Sequence, residues 1–333
     1  MLRPLAYIFF LLVLFSFKET QTWHRYQIDG RAQGTTYSVT YFASDSLVLQ
    51  NQLDSILFVI DSSMSLYKPF SAINAFNNSK RGIIADEHLK KVIGKSLVTW
   101  EETSGLFDIT VMRLVKAWGF GPEKFSSIPD SATIIRLLNC TGSSRLQLKG
   151  DSLIKTTPCI AIDVNGIAQG YSVDLLASFL ESSGITNYLV ELGGEIRIRG
   201  RKQPGNEKMK IGIEAPPTDG METGLQKIVQ IDEGAITTSG NYRRVYESNG
   251  KQISHLIDPR TGLPVQNELI SVTVFAADAI TADAFDNALM LMGLTEALDF
   301  TEKQQHIAAY FIFRKPDHSI ADTCSRKFRK LLQ

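Results

Sequence analysis

Four clusters of residues along the chain have compositions unsuited to a core. The densest runs Thr237-Thr238-Ser239-Gly240-Asn241-Tyr242 and resumes at Ser254-His255-Leu256-Ile257-Asp258-Pro259-Arg260-Thr261-Gly262. A histidine alone is more often structural than catalytic. A histidine, an acid and an arginine crowded into one turn fit chemistry better. Histidine moves protons near neutral pH, an acid orients it or holds a cation, and arginine grips phosphate. A second cluster is Asp278, Thr281, Asp283, Asp286 and Asn287. Asp283 and Asn287 are four apart and share one face of a helix. Their oxygens suit a hard cation such as Mg²⁺, although acids also decorate helix N-termini without any ligand. The third, Ile162 to Tyr171 followed by Asp174, reads as a strand, a glycine-spaced turn and a helix start. Backbone N–H groups there suit a phosphate, but the pattern is neither a dinucleotide fingerprint nor a P-loop. The fourth, Gln33-Gly34-Thr35-Thr36-Tyr37, lets backbone approach a ligand closely or simply enters a strand.

These clusters need elements to hold them. Thr36 to Phe42 reads as a strand. Leu53, Ile56, Leu57, Ile60 and Met64 fall on one helical face. A second helix starts at Asp86, a good N-cap, and buries Leu89, Val92, Ile93, Leu97 and Trp100. Phe107 to Trp118 is irregular and leads into another helix. Ile160 to Val164 reads as a short strand, and a helix from about Tyr171 stops at Gly184. Strands are expected at Tyr188 to Leu192, Glu195 to Arg199, Lys210 to Glu214, Lys227 to Ile231 and Leu269 to Ala277, with Lys202 to Lys208 a surface hairpin loop. Thr281 is expected to cap a helix ending at Gly293. A helix from Thr295 to Lys303 then precedes a last strand, Ile307 to Phe313. Several adjacent strands in mixed order with helices predict an α+β fold, with mixed, largely antiparallel sheets and packed helices.

The chain has 333 residues, with 35 Lys plus Arg against 35 Asp plus Glu, so no strong attraction to nucleic acid is expected. The basic run from Arg326 to Lys330 reads as a solvated helix end, with weak contact to an acidic membrane surface as the alternative. Three cysteines, Cys140, Cys159 and Cys324, show no zinc spacing. At least one stays unpaired within a monomer, and whether Cys140 pairs with Cys159 is left open. Met1-Leu2-Arg3 and the apolar run from Leu5 to Phe17 read as a targeting segment, a signal peptide or membrane anchor over residues 1–22. The folded domain is then 23–333. The protein is expected to be exported and periplasmic, with possible attachment to the inner membrane.

Read in order, the motifs resemble the ApbE family, the FAD:protein FMN transferases. The resemblance is carried by Gly34-Thr35-Thr36-Tyr37, Ser71-Ala72-Ile73-Asn74, Phe107-Asp108-Ile109-Thr110-Val111 with Leu114-Val115, and Trp118-Gly119-Phe120-Gly121. It continues through Asp163 to Asp174, Leu192-Gly193-Gly194-Glu195-Ile196-Arg197, Thr238 to Tyr242, His255 to Gly262, Ser271-Val272-Thr273-Val274 and Ala282-Asp283-Ala284.

The resemblance implies an ApbE-like, T-fold-like architecture and an enzyme that splits the FAD diphosphate, moves FMN onto a Thr or Ser hydroxyl of a target flavoprotein, and releases AMP. It implies Mg²⁺ held by Asp283, Asn287 and the backbone oxygen of Gly166, and His255 with Asp258 as catalytic residues. FAD contacts are implied at Gln33, Gly34, Ala72, Ile73, Asn74, Asp108, Gln169, Gly193, Gly194, Ser239 and Arg260. The implied partners are acceptor subunits of membrane redox pumps of the Nqr and Rnf type. Three positions depart from the family pattern: Gln33 for Met, Gln169 for Lys or Glu, and Asn287 for Thr or a small residue. They bear on rate and affinity rather than reaction class. A hydrolase with water as nucleophile and a non-enzymatic flavin-binding protein of the cell envelope are the competing expectations.

Overall fold

The structure, a computed structural model, describes residues 22–120, 128–216, 224–241, 245–248 and 251–332. Residues 1–21 of the expected leader, Gly121 and Tyr242 lie outside them. Eight strands form one antiparallel sheet whose spatial order follows the chain. They are β1 (His24–Ala32), β2 (Thr35–Ala43), β3 (Tyr188–Leu192), β4 (Glu195–Arg199), β5 (Glu233–Gly240), β6 (Leu269–Ala276), β7 (Ile307–Arg314) and β8 (Ile320–Cys324). Between β2 and β3 the chain leaves the sheet to form α1 (Gln50–Met64), α2 (Ala72–Asn78), α3 (Glu87–Glu102), α4 (Met112–Ala117), α5 (Ser131–Leu138) and α6 (Ala168–Ser182). Helices α7 (Ala279–Met292) and α8 (Leu294–Lys303) connect β6 to β7, and α9 (Arg326–Arg329) follows β8.

Alternation along the strands explains how both faces of the sheet are covered. In β7, Ile307, Ala309 and Phe311 pack with Phe285 and Leu289 of α7. Their neighbours Ala308, Tyr310 and Ile312 face the other way, toward a hairpin of Met209–Glu214 with Leu225–Ile231 and toward Phe328 of α9. Under β2 and β3, α1, α3 and α6 bury Leu53, Leu57, Leu89, Val92, Val173 and Leu176. The expected α+β fold and antiparallel sheet are observed.

Four expectations are corrected. Ile160 to Val164 is not a strand. The Asn77 amide takes the place of a neighbouring strand, donating to the Ile162 carbonyl at 2.9 Å and accepting the Ile162 N–H at 2.7 Å. Helix α6 starts at Ala168, ahead of Tyr171, because Gly170 lets it close onto α7. The cap of α7 is Asp278, whose carboxylate accepts the Thr281 N–H at 3.0 Å, so Thr281 is the capped residue and not the cap. Ile307 to Phe313 is also not the final strand, since β8 follows it. Cys140 and Cys159 form a disulfide, and Cys324 is free and buried.

Candidate functional site

Two helices and three turns converge on one cavity of about 1070 Å³. The β1–β2 hairpin contributes Gln33 and Gly34, both at positive φ (52° and 77°), between the paired Ala32 and Thr35. That is the two-residue turn that suits strand twist, and it explains the glycine. The Gln33 amide donates to Ser172 Oγ at 2.7 Å, tying this turn to α6. The β3–β4 hairpin turns on Gly193 and Gly194 (φ 67° and 111°). A Cβ on Gly193 would lie 2.9 Å from the Gln169 amide nitrogen and 3.0 Å from Thr35 Cγ2, so this turn, α6 and the first hairpin meet where no side chain fits.

The α6–α7 contact builds the acidic end. Asp283 is 4% exposed, and its Oδ2 accepts the Gly170 N–H at 2.8 Å. Burial pushes its carboxyl up to about 7, and the nearby Asp174 charge adds to the rise. Asp174 on α6 accepts the Ala279 and Ile280 N–H groups at 2.9 and 2.8 Å and pairs with Arg197, locking the start of α7. Burial raises the Asp174 carboxyl to about 6. One turn beyond Asp283, Asp286 is 1% exposed with neither carboxylate oxygen hydrogen-bonded. Burial and then the Asp283 charge hold its pKa well above the ordinary value. The Asn287 amide donates toward the Gly166 carbonyl at 3.4 Å and the Asp283 carbonyl at 3.3 Å, and its oxygen accepts from Ser239 Oγ at 3.1 Å.

Gly166, Asp283 and Asn287 thus line the same cavity, with the Asn287 amide against the Gly166 carbonyl and the Asp283 carboxylate on the adjoining Gly170 N–H. Among the described residues no group of three or more His, Cys, Asp or Glu is arranged to hold a metal. This set differs in kind, combining one carboxylate with a carbonyl and an amide, all hard oxygens. Behind it Asp286 adds two buried oxygens without a hydrogen-bond partner, and a cation nearby would draw the buried carboxyls toward their charged forms. To present its oxygen, the Asn287 amide must turn over. The residues fit a small divalent cation.

His255 is half-buried and lines the same cavity, edge-on to Phe120 with ring centroids 6.1 Å apart. Asp258, three residues on, turns away from this cavity and takes the Arg260 backbone N–H at 2.8 Å and its guanidinium at 3.1 and 2.8 Å. Burial opposes ionisation of Asp258, but these bonds outweigh it and hold the carboxyl below its usual value.

Of the residues singled out in the sequence, Gln33, Gly34, Asp108, Gly166, Gln169, Gly193, Ser239, His255, Asp283 and Asn287 line the cavity. Asp108 does so with its carboxylate already engaged by Thr110 and by the N–H and hydroxyl of Ser143, so it folds the wall. The rest stand back from the lining. Ile73 is fully buried in the core. Asn74 donates to the carbonyls of Ser65, Leu66 and Lys68, so it shapes the loop that does line the cavity. Ala72 begins α2, and the Gly194 N–H is held by Glu191. Arg260 is spent on Asp258. Sequence reading missed the Ser65–Lys68 loop and Asp61, which also line the cavity. The available signal was Pro69, which together with Ser65 and Lys68 marks a loop between α1 and the Ser71 motif.

Comparison with known proteins agrees with this arrangement. The family described as "ApbE family" matches residues 33–311. A Vibrio cholerae protein named FAD:protein FMN transferase is 35% identical, covering 92% of this chain and 92% of its own. Among solved structures, the flavin transferase ApbE from Vibrio cholerae superposes with a TM-score of 0.84 at 32% identity, over 93% of this chain and all of that one. The apo form of a flavinyl transferase ApbE from Pseudomonas stutzeri gives 0.84 at 31% identity, over 93% and 97%.

Proposed function

The chain belongs to the ApbE family, and from that membership and the site's geometry we propose that it is an FAD:protein FMN transferase. The observation that carries the reading is one cavity lined both by His255 and by Gly166, Asp283 and Asn287. Its volume of about 1070 Å³ suits a dinucleotide.

The resident cation of this reading is Mg²⁺, held by Asp283, Asn287 and the Gly166 carbonyl. When bound it neutralises the diphosphate and eases departure of the AMP group. The chain's own residues do the remainder. The glycine turns at Gly34 and Gly193 admit the dinucleotide close to backbone. His255 takes the proton from the attacking Thr or Ser hydroxyl of the acceptor. The hydroxyl oxygen bonds to the FMN phosphorus, and the bond from that phosphorus to the bridging oxygen breaks. AMP leaves with the bridging oxygen. Asp258 acts through the turn, pairing with Arg260 to fix the backbone that presents His255.

Acceptor subunits of membrane redox pumps of the Nqr or Rnf type are the partners this reading names. Export to the periplasm, with the N-terminal segment as signal or anchor, belongs to the same proposal. The Cys140–Cys159 disulfide supports an oxidising compartment. The test is incubation with FAD, Mg²⁺ and a candidate acceptor subunit. Flavin fluorescence that stays with the denatured acceptor, together with released AMP, is expected. AMP released with unlabelled acceptor would turn the reading to hydrolysis. FAD bound but intact would leave only flavin binding.

A further inference from the structure

His255 stands outside the eight-stranded sheet. The strand leading into it, Lys251–Ser254, pairs with Val245–Ser248 as a separate two-stranded ribbon. The placement of His255 in the cavity therefore depends on what packs against the turn that follows it. That turn is closed on itself. The Asp258 N–H donates to the Leu263 carbonyl at 2.9 Å, the Gly262 N–H to the Asp258 carbonyl at 2.8 Å and the Val265 N–H to the Leu256 carbonyl at 2.8 Å. At its base Leu256 packs on the α7 side and Ile257 on the α4 side. The turn is thus one piece, and a grip on its tip reaches His255.

The grip comes from three consecutive residues at the end of α4. The Trp118 indole N–H donates to the Gly262 carbonyl at 2.8 Å, across 144 residues of sequence. Trp118 is buried in a cluster with Leu114, Ile134, Ile253 and Ile257. Gly262, at φ 71°, lies so close to this cluster that a Cβ there would be 2.6 Å from Ile134 Cγ2 and 3.1 Å from Leu114 Cδ2. Gly119 follows Trp118 at φ 87°. Its N–H donates to the Lys116 carbonyl at 3.0 Å, and the Phe120 N–H to the Val115 carbonyl at 3.1 Å. This pair of bonds ends a helix on a left-handed residue and turns the chain back. Phe120 then lines the FAD cavity, edge-on to the His255 ring, an arrangement aromatic rings favour. Trp118 holds the tip of the turn, and Phe120 meets the imidazole at its base.

We propose that Trp118 and Phe120 are positioning residues for the transfer step, fixing where His255 meets the acceptor hydroxyl. The proposal rests on the transferase reading above and adds to it two residues through which α4 sets the base. Trp118 does not line the FAD cavity, so it acts through the turn. A base displaced by a fraction of an ångström still faces bound FAD but takes its proton less often, so the loss falls on turnover rather than on binding.

The test compares the full chain with Trp118→Phe, Phe120→Leu and Phe120→Tyr. AMP release from FAD with Mg²⁺ and an Nqr-type acceptor subunit gives kcat, and FAD titration gives Kd. The Cε1–H resonance of His255, identified among the five histidines by its absence from His255→Ala, reports the surroundings of the ring without any turnover. Trp118→Phe keeps a buried ring and removes the N–H. It is expected to lower kcat roughly ten- to hundred-fold and to move the His255 resonance, while FAD Kd stays within about two-fold. Phe120→Leu is expected to lower kcat more than FAD affinity, and Phe120→Tyr, which keeps the ring edge, to recover most of the loss. If Trp118→Phe does not fold, the two Phe120 variants decide. An unchanged kcat in Trp118→Phe, FAD affinity falling as far as kcat, or Phe120→Tyr as slow as Phe120→Leu would overturn the proposal and leave FAD cleavage standing. So would a His255 resonance that Trp118→Phe leaves in place. FAD bound but never cleaved by the unaltered chain would overturn the transferase reading and the proposal with it.

Discussion

Replacing Asp283 by Asn is expected to stabilise the ion-free protein above neutral pH and to abolish FMN transfer. Asp283 is almost fully buried, with the Gly170 N–H as its hydrogen-bond donor. Burial raises its pKa from 3.8 to about 7. The folded state therefore keeps this proton to higher pH than the unfolded chain does. Stability is greatest below the unfolded pKa and is lost as pH climbs through the folded one. At 1.36 kcal/mol per pH unit, the rise sets an upper bound of about 4 kcal/mol on the cost of holding the charge. Asn has no charge to bury, and its amide oxygen can keep the Gly170 bond. Recovering about a quarter of the bound, about 1 kcal/mol, would raise Tm by roughly 2 °C in a chain of this size. Thermal melts in EDTA near pH 5 and near pH 8 measure it. The gain should reach roughly 2 °C near pH 8 and be smaller near pH 5, where the folded protein already holds this carboxyl neutral. Equal melts at both values, or a less stable variant near pH 8, would refute the claim that the fold pays to keep a charged carboxylate ready for a cation.

Other perturbations test the same architecture. His255→Ala should lower FMN transfer far more than FAD affinity, and equal losses in turnover and titration would make His255 a binding residue. Gly170→Ala would place a methyl 2.7 Å from Asp283 Cβ and nearer still to the Ala279 carbonyl. Its expected cost is about 1–3 kcal/mol in denaturant melts, with Mg²⁺-dependent cleavage falling alongside. Asn77→Leu removes both bonds to Ile162, and about 2 kcal/mol of stability together with weaker FAD binding is expected in urea melts and titration. An unchanged FAD Kd would detach the Asp163–Gly166 wall from that amide.

Much of the fold was legible because its signals are local. The helical face of α1, the Asp86 cap and the apolar run of β6 follow from spacing and composition alone. What escaped was decided by tertiary partners. Ile160 to Val164 has the composition of a strand, but the N–H and carbonyl of Ile162 bond a side chain 85 residues away in place of a neighbouring strand. Helix α6 starts early because Gly170, a poor helix residue in isolation, is where α7 must approach. Strands β1 and β5 went unread as strands because half-exposed polar residues and the Thr237–Gly240 hydroxyls mask their alternation. At the site, Gly34, Gly166, His255, Asp283 and Asn287 stood out in clusters of unusual composition, and Gly193 through the family resemblance alone. Their neighbours could not be sorted in the same way. Asp108, Asn74 and Arg260 have equally reactive side chains, and only the structure shows each committed to Ser143, to the Ser65–Lys68 carbonyls and to Asp258.

The Cys140–Cys159 bridge closes a span of 19 residues. Cys140 adjoins the Thr141–Ser143 turn that clasps Asp108, and Cys159 precedes the run to Gly166. A cross-link of that span is worth about 3 kcal/mol through the disorder it denies the unfolded chain. Recombinant material harvested from a reducing cytosol would therefore start with that restraint missing, and low activity in such a preparation would report its cysteine chemistry before it reported anything about the catalyst.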